Sequence, residues 1–81
     1  MDRNVCIEGI LEVLGECGFI VQYDGTDFSL SDYIEDSIQF MTILVELEDK
    51  FGVEFPDEIL QIDYFSSLFG LTDIICELNE L

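Results

Sequence analysis

Asp36-Ser37-Ile38-Gln39-Phe40-Met41-Thr42-Ile43-Leu44-Val45-Glu46-Leu47-Glu48-Asp49-Lys50-Phe51-Gly52 is the run that decides the fold. Phe40, Ile43, Leu44, Leu47 and Phe51 recur at three- and four-residue intervals, the spacing of one helical face. The period predicts a helix over 37–51, ended by Gly52. Asp36 and Gln39 have the spacing of a capping box: the Asp36 carboxylate accepts from the Gln39 amide, and the Gln39 side chain returns to the Asp36 amide. That division of labour leaves the Ser37 hydroxyl on the first helical turn with no essential capping duty. Ile38, Met41 and Val45 form a second apolar seam, bordered by Glu46, Glu48 and Asp49. One core does not need two seams, so the second either meets a partner or packs against a neighbouring loop.

Working outward, Val5, Cys6, Ile7, Ile10, Leu11, Val13, Leu14 and Cys17 carry the same period and predict a helix over 4–16. Asp2 or Asn4 caps its start and Gly18 stops it. The connection over 18–36 is long for a compact domain, which hints at function or local packing. Asp24-Gly25-Thr26 within it is a turn signal. Phe19, Ile20, Val21, Tyr23, Phe28, Leu30 and Tyr33 could pin this connection to the core. A short strand over 19–23 is one reading, although no second strand is evident to pair with it. Residues 31–34 have the makings of a single helical turn. Pro56 breaks the chain, and a short turn or helix is expected over 57–64. Ser66 or Ser67 then caps a last helix reaching about residue 78, with Leu68, Leu71, Ile74, Ile75 and Leu78 inward. Gly70 weakens its first turn by roughly 1 kcal/mol relative to Ala. The sum is a single all-α domain over 1–81, a bundle of three main helices and one short helix, with a long loop between the first and second.

Composition narrows the function. The chain has 81 residues and 49% are hydrophobic, too apolar a mixture for a disordered acidic tail. Nineteen acids face two bases, Arg3 and Lys50, with no histidine, for a net charge of −17. Such a field repels phosphate backbones and anionic lipid. It steers basic protein surfaces into encounter instead, although solubility alone is also served by it. Cys6, Cys17 and Cys76 include no C-x-x-C pair, so neither a disulfide framework nor a zinc site is expected. The first residues lack the basic region of a signal peptide, and no apolar run reaches the length of a membrane span. A cytoplasmic location without membrane insertion is the expectation.

Catalytic constellations are missing. Without histidine, Ser37, Ser66 and Ser67 lack the usual base, and a cysteine nucleophile lacks its partner. No phosphate-cradling glycine loop is present. The acidic 24–35 stretch fails the calcium-loop pattern, having no Gly at its sixth position. No metal site and no enzymatic activity are expected.

From about residue 30 onward the sequence resembles the acyl and peptidyl carrier protein family. The resemblance rests on Asp36-Ser37-Ile38, then Val45-Glu46-Leu47-Glu48-Asp49-Lys50-Phe51-Gly52-Val53-Glu54-Phe55-Pro56-Asp57-Glu58. Asp-Ser-hydrophobic alone is a weak signal. Followed by Phe51 and Pro56 at the family spacing, it becomes strong. The resemblance implies a four-helix carrier with 4′-phosphopantetheine, taken from coenzyme A, on Ser37, with Asp36 as the acid before it. It implies that Ile38, Met41, Val45, Glu46, Glu48 and Asp49 lie on the helix that partners read. The implied partners are a phosphopantetheinyl transferase, an acyl- or aminoacyl-loading ligase, and downstream synthase or transferase enzymes with basic docking patches. A monomer is expected, with no nucleic acid bound.

Gln39 and Thr42 stand where primary fatty-acid carriers usually have acids, Phe40 is bulkier than usual, and Ile34-Glu35 replaces the common Gly or Ala before Asp-Ser. These departures point to a discrete carrier in a specialised fatty-acid, polyketide or nonribosomal-peptide pathway; a D-alanyl carrier also fits the layout. The competing reading is an unmodified acidic interaction module, a degenerate carrier. Either way, self-repulsion among the acids opposes compactness. Added sodium chloride is therefore expected to raise the melting temperature, measured by circular dichroism. A fall would mean that the acids are already paired.

Overall fold

The computed structural model describes residues 2–56 and 67–80. They form three helices, α1 (Arg3–Glu16), α2 (Ser37–Phe51) and α3 (Leu68–Asn79), and a short 3-10 turn at Leu30–Asp32. No strand occurs among the described residues, so 19–23 runs as extended chain without a ladder. The all-α expectation and the three main helices hold. The short helix expected over 57–64 and the Ser66 alternative lie outside the described residues.

Each helix begins on an acceptor side chain. The Asp2 carboxylate accepts from the Asn4 amide at 2.8 Å, starting α1 one residue earlier than expected. The Ser67 hydroxyl accepts from the Gly70 amide at 3.0 Å and opens α3. The stops are equally local. Gly18 takes a positive φ of 93°, and the Phe19 amide donates back to the Leu14 carbonyl at 2.9 Å. Gly52, at φ 66°, lets the Gly52 and Val53 amides both reach the Glu48 carbonyl. A side chain at either position would strain the backbone against its own carbonyl.

The core lies where the three helices meet. Ile10, Val13 and Leu14 of α1, Ile43, Leu44 and Leu47 of α2, and Leu68, Leu71 and Ile75 of α3 are essentially removed from water. Burial of each such side chain contributes on the order of 1.5–3 kcal/mol. α1 and α2 run in opposite senses and approach closely: a Cβ on Gly9 would sit 2.6 Å from Cζ of Phe51. Phe51 is thereby half-buried at the edge of the core. Val5, expected on the apolar face of α1, is 56% exposed. Thr72 is the buried polar side chain, and its hydroxyl donates to the Leu68 carbonyl at 2.8 Å, so it leaves nothing unsatisfied.

The cysteines behave as small apolar residues. All three are free thiols. Cys6 is wholly buried and its thiol contacts the Thr72 carbonyl at 3.8 Å. Burial, reinforced by the neighbouring Cys76, pushes the Cys6 thiol up to about 12, far from a working nucleophile.

Both cations are used in pairs that join α1 to another helix. Arg3 pairs with Asp73 of α3 and lies 5.3 Å from the centre of the Phe69 ring. Lys50 of α2 reaches Glu12 at 2.7 Å. Exposed pairs like these contribute little individually. Their placement matters more, because it leaves the opposite side of α2 without a counter-charge.

The long connection is held by its apolar side chains and by one acid. Leu30 is fully buried, while Phe19, Val21, Tyr23, Phe28 and Ile34 pack half-buried against the core. Tyr33 meets Phe28 edge-to-face at 5.7 Å. Ile20 does the reverse of what was expected: it is 88% exposed, since alternate side chains of an extended segment point to opposite sides. The helical turn falls one residue earlier than expected because Leu30 must reach the core. Asp24 closes the preceding turn by accepting from the Thr26 amide and hydroxyl.

Asp27 docks the connection onto the start of α3. Its carboxylate accepts from the Ser67 hydroxyl at 2.5 Å and the Phe69 amide at 3.0 Å, beside a Leu68 amide to Phe28 carbonyl bond of 2.8 Å. Partial loss of hydration pushes the Asp27 carboxyl up, but the bonds from Ser67, Phe69, Phe28 and Leu68 together outweigh it and hold it below the usual range. Because the folded value lies below the unfolded one, the stabilisation is complete above the unfolded value and is lost as pH falls through the folded one. Asp27→Asn is expected to lower the melting temperature at pH 7 by a few degrees, the scale of a lost surface cap in a small domain. The gap from wild type should close as the pH is taken below the usual carboxylate range. A gap that stays constant with pH would show that the charge of Asp27 is irrelevant.

Candidate functional site: the start and outer face of α2

Local sequence places Ser37 first in α2 and points it at solvent. The Asp36 carboxylate accepts from the Gln39 amide at 2.8 Å, as the spacing predicted. The return arm differs: Gln39 Oε1 accepts from the Glu35 amide at 2.8 Å, one residue further back than the expected Asp36 amide. Asp36 is fully extended (φ −149°, ψ 170°), and the Glu35 amide becomes the donor that the carboxamide meets. Both capping duties are thus carried by neighbours of Ser37. The first-turn amides of a helix have no partners of their own, and with the helix dipole they favour an anion there.

Beside Ser37 lies a cleft of about 300 Å³ lined by Ile34, Glu35, Asp36, Ser37 and Phe40. Sequence reasoning assigned Phe40 to the core and gave Ile34 no site role. Phe40 is indeed buried, but its edge also walls this cleft. The helical spacing from Asp36 to Phe40 was the signal available; Ile34 gave none, because its position depends on how the connection packs.

The second seam faces outward. Ile38 is 77% exposed, Met41 52% and Val45 56%. With Thr42 and Glu46 they line a shallow depression of about 390 Å³. Asp49 and Glu48 fall instead into a neighbouring depression with Val45, Val53, Glu54 and Phe55. Of the acids on this face, Glu48 has an internal duty: its Oε2 accepts from the Phe55 amide at 2.9 Å and pins the turn after α2. Glu46 and Asp49 are exposed. The structure therefore brings Ser37, Ile38, Met41, Val45 and Glu46 along one side of α2, with Glu48 and Asp49 at its far end. Thr42 shares that side at helical spacing and was not counted among the seam residues. Among the described residues, no cluster of acids and cysteines is arranged to hold a metal ion, and no helix is long and apolar enough to cross a membrane.

The described residues thus offer a solvent-exposed serine at a helix start, beside an exposed apolar and acidic face. Comparison with known proteins gives the family. The family model described as "Phosphopantetheine attachment site" matches residues 10–75. The chain is 41% identical over 54 residues to an acyl carrier protein of Renibacterium salmoninarum, covering 64% of this chain and 67% of that protein. It is 38% identical over 58 residues to an acyl carrier protein of Myxococcus xanthus, covering 69% and 73%. An acyl carrier protein of Micrococcus luteus is likewise 38% identical over 58 residues, covering 69% and 72%. No solved structure matches. The chain belongs to the phosphopantetheine-attachment family of acyl carrier proteins, whose members bear covalent 4′-phosphopantetheine and are carriers rather than enzymes.

The cap geometry separates two serine roles. Asp36→Ala is expected to destabilise the fold by about 1 kcal/mol, the usual worth of an N-cap acceptor. Ser37→Ala should change stability by less than about 0.5 kcal/mol, since it removes no cap and Ala is the better helix former. Urea unfolding of both variants checks this; a larger loss for Ser37→Ala would make Ser37 the cap.

Proposed function

We propose that Ser37 is the attachment point of 4′-phosphopantetheine and that the chain carries acyl or aminoacyl intermediates. The observation that carries this is the exposed Ser37 hydroxyl at the head of α2, with Asp36 and Gln39 doing the capping around it. A free hydroxyl there can be approached by a transferase without unmaking the helix start. The phosphodiester so formed would rest at the positive end of α2. The cleft beside Phe40 and Ile34 gives the arm room to lie against the protein. The arm supplies a terminal thiol on which the cargo is held as a thioester. No side chain of the chain itself is needed for that bond, consistent with the Cys6 thiol being held unreactive by burial.

The chain's own contribution is tethering and presentation. A tethered intermediate meets each partner at high effective concentration rather than diffusing away. The exposed strip of Ile38, Met41 and Val45, with Glu46 and Asp49 beyond it, is the partner-reading surface in this reading; Glu48 supports it by fixing the turn at Phe55. Its partners are a phosphopantetheinyl transferase, a loading ligase for an acyl or aminoacyl group, and downstream synthase or transferase enzymes. The neutral Gln39 and Thr42 support a place in a specialised fatty-acid, polyketide or nonribosomal-peptide pathway. In this reading the carrier works as a monomer in the cytoplasm.

Incubation with coenzyme A, Mg²⁺ and a promiscuous phosphopantetheinyl transferase, followed by intact-mass spectrometry, tests the reading. One phosphopantetheine should be gained by the wild type and none by Ser37→Ala. A folded wild type that gains nothing with several transferases would instead make the chain an unmodified acidic interaction module.

A further inference from the structure

Charge is distributed unevenly along the partner-reading face. The run 37–45 contains no ionisable acid or base, in a chain whose net charge is −17. Acids resume on either side of it, Glu35 and Asp36 before and Glu46 and Asp49 after. At 1.5 Å per residue the uncharged strip from Ile38 to Val45 is roughly 10 Å long. Its two polar side chains have backbone partners on this helix start: Gln39 Oε1 accepts from the Glu35 amide, and the Thr42 hydroxyl donates to the Ile38 carbonyl at 2.9 Å. The Ile38, Met41 and Val45 side chains are exposed, with Thr42 lining the same depression.

We infer that Thr42 and Gln39 are specificity-determining residues that keep this strip apolar, and that it accepts a partner bearing an apolar ridge about 10 Å long flanked by cations. This deepens, and rests on, the carrier reading of Ser37. Complementarity fixes the partner's chemistry. The flanking acids have no cation to neutralise them, because Arg3 is held by Asp73 and Lys50 by Glu12. Cations on the partner opposite Glu46 and Asp49 would steer encounter, while contact affinity would come from burying methyl and thioether groups. A partner cation centred on Thr42 would find its nearest carboxylate on this face, Glu46, one turn further on, and so would gain less than a cation placed over Glu46 itself.

The two modes of docking predict opposite signs for one substitution. An added acid at an exposed helix position strengthens docking if charge provides the contact, and weakens it if an apolar ridge must lie there. Transfer of phosphopantetheine from coenzyme A to the chain by a promiscuous transferase supplies the readout, with KM for the chain and kcat measured separately. Thr42→Glu is expected to raise KM at least five-fold with kcat within two-fold of wild type, and Met41→Ser, which keeps the strip neutral, should also raise KM several-fold. Circular dichroism of both variants confirms that they are folded. An unchanged or lowered KM for Thr42→Glu overturns the inference. Absence of any mass gain on wild-type Ser37 overturns the carrier reading instead, so the two failures are distinct.

Discussion

The rotational phase of α2 is the constraint on which the rest depends. Ile43, Leu44 and Leu47 must be buried together with Phe40, because no other face of this helix offers so much apolar surface at the core spacing. A helix is rigid about its axis, so burying that stripe leaves no freedom in where the remaining side chains point. Ser37, Ile38, Met41 and Val45 are then held outward, at a cost in exposed apolar surface that a purely structural helix has no reason to bear. The close approach of Gly9 to Phe51 and the Lys50–Glu12 pair fix the far end of α2 in the same phase.

Charge arranges function around that core without building it. With nineteen acids and two bases, the chain cannot be stapled by ion pairs, and hydrophobic burial has to hold it against self-repulsion. The two cations sit on pairs involving α1, leaving the α2 face acidic at both ends and neutral between. Glu48 illustrates how a surface acid acquires a second role. It borders the exposed outer face of α2, yet one of its oxygens is bonded to the Phe55 amide, so it contributes to the shape of the turn as well as to the field.

Much of the site was legible because the relevant signals are local. Helical period gave α1, α2 and α3 to within a residue or so at most ends, and the cap chemistry of Asp2, Asp36, Gly18, Gly52 and Ser67 gave their limits. The part that failed was the connection before Asp36. Ile20 was expected to pack inward and is exposed, the helical turn slipped to Leu30–Asp32, and the Gln39 carboxamide took the Glu35 amide instead of that of Asp36. None of these follows from period or propensity, since an extended segment takes its register from what it packs against.

Sequence by itself determined the helical class, the stripe of α2 that is buried and the Asp36 cap that leaves the Ser37 hydroxyl free. These follow from spacing within a few residues. Tertiary structure alone decided that Arg3 would pair with Asp73 of α3 and Lys50 with Glu12 of α1, that Asp27 would bridge to Ser67 and Phe69 across forty residues of chain, and that Ile34 and Phe40 would wall a cleft beside Ser37. Such contacts join residues far apart in sequence, and their partners exist only once the apolar stripes have packed and brought the helices together.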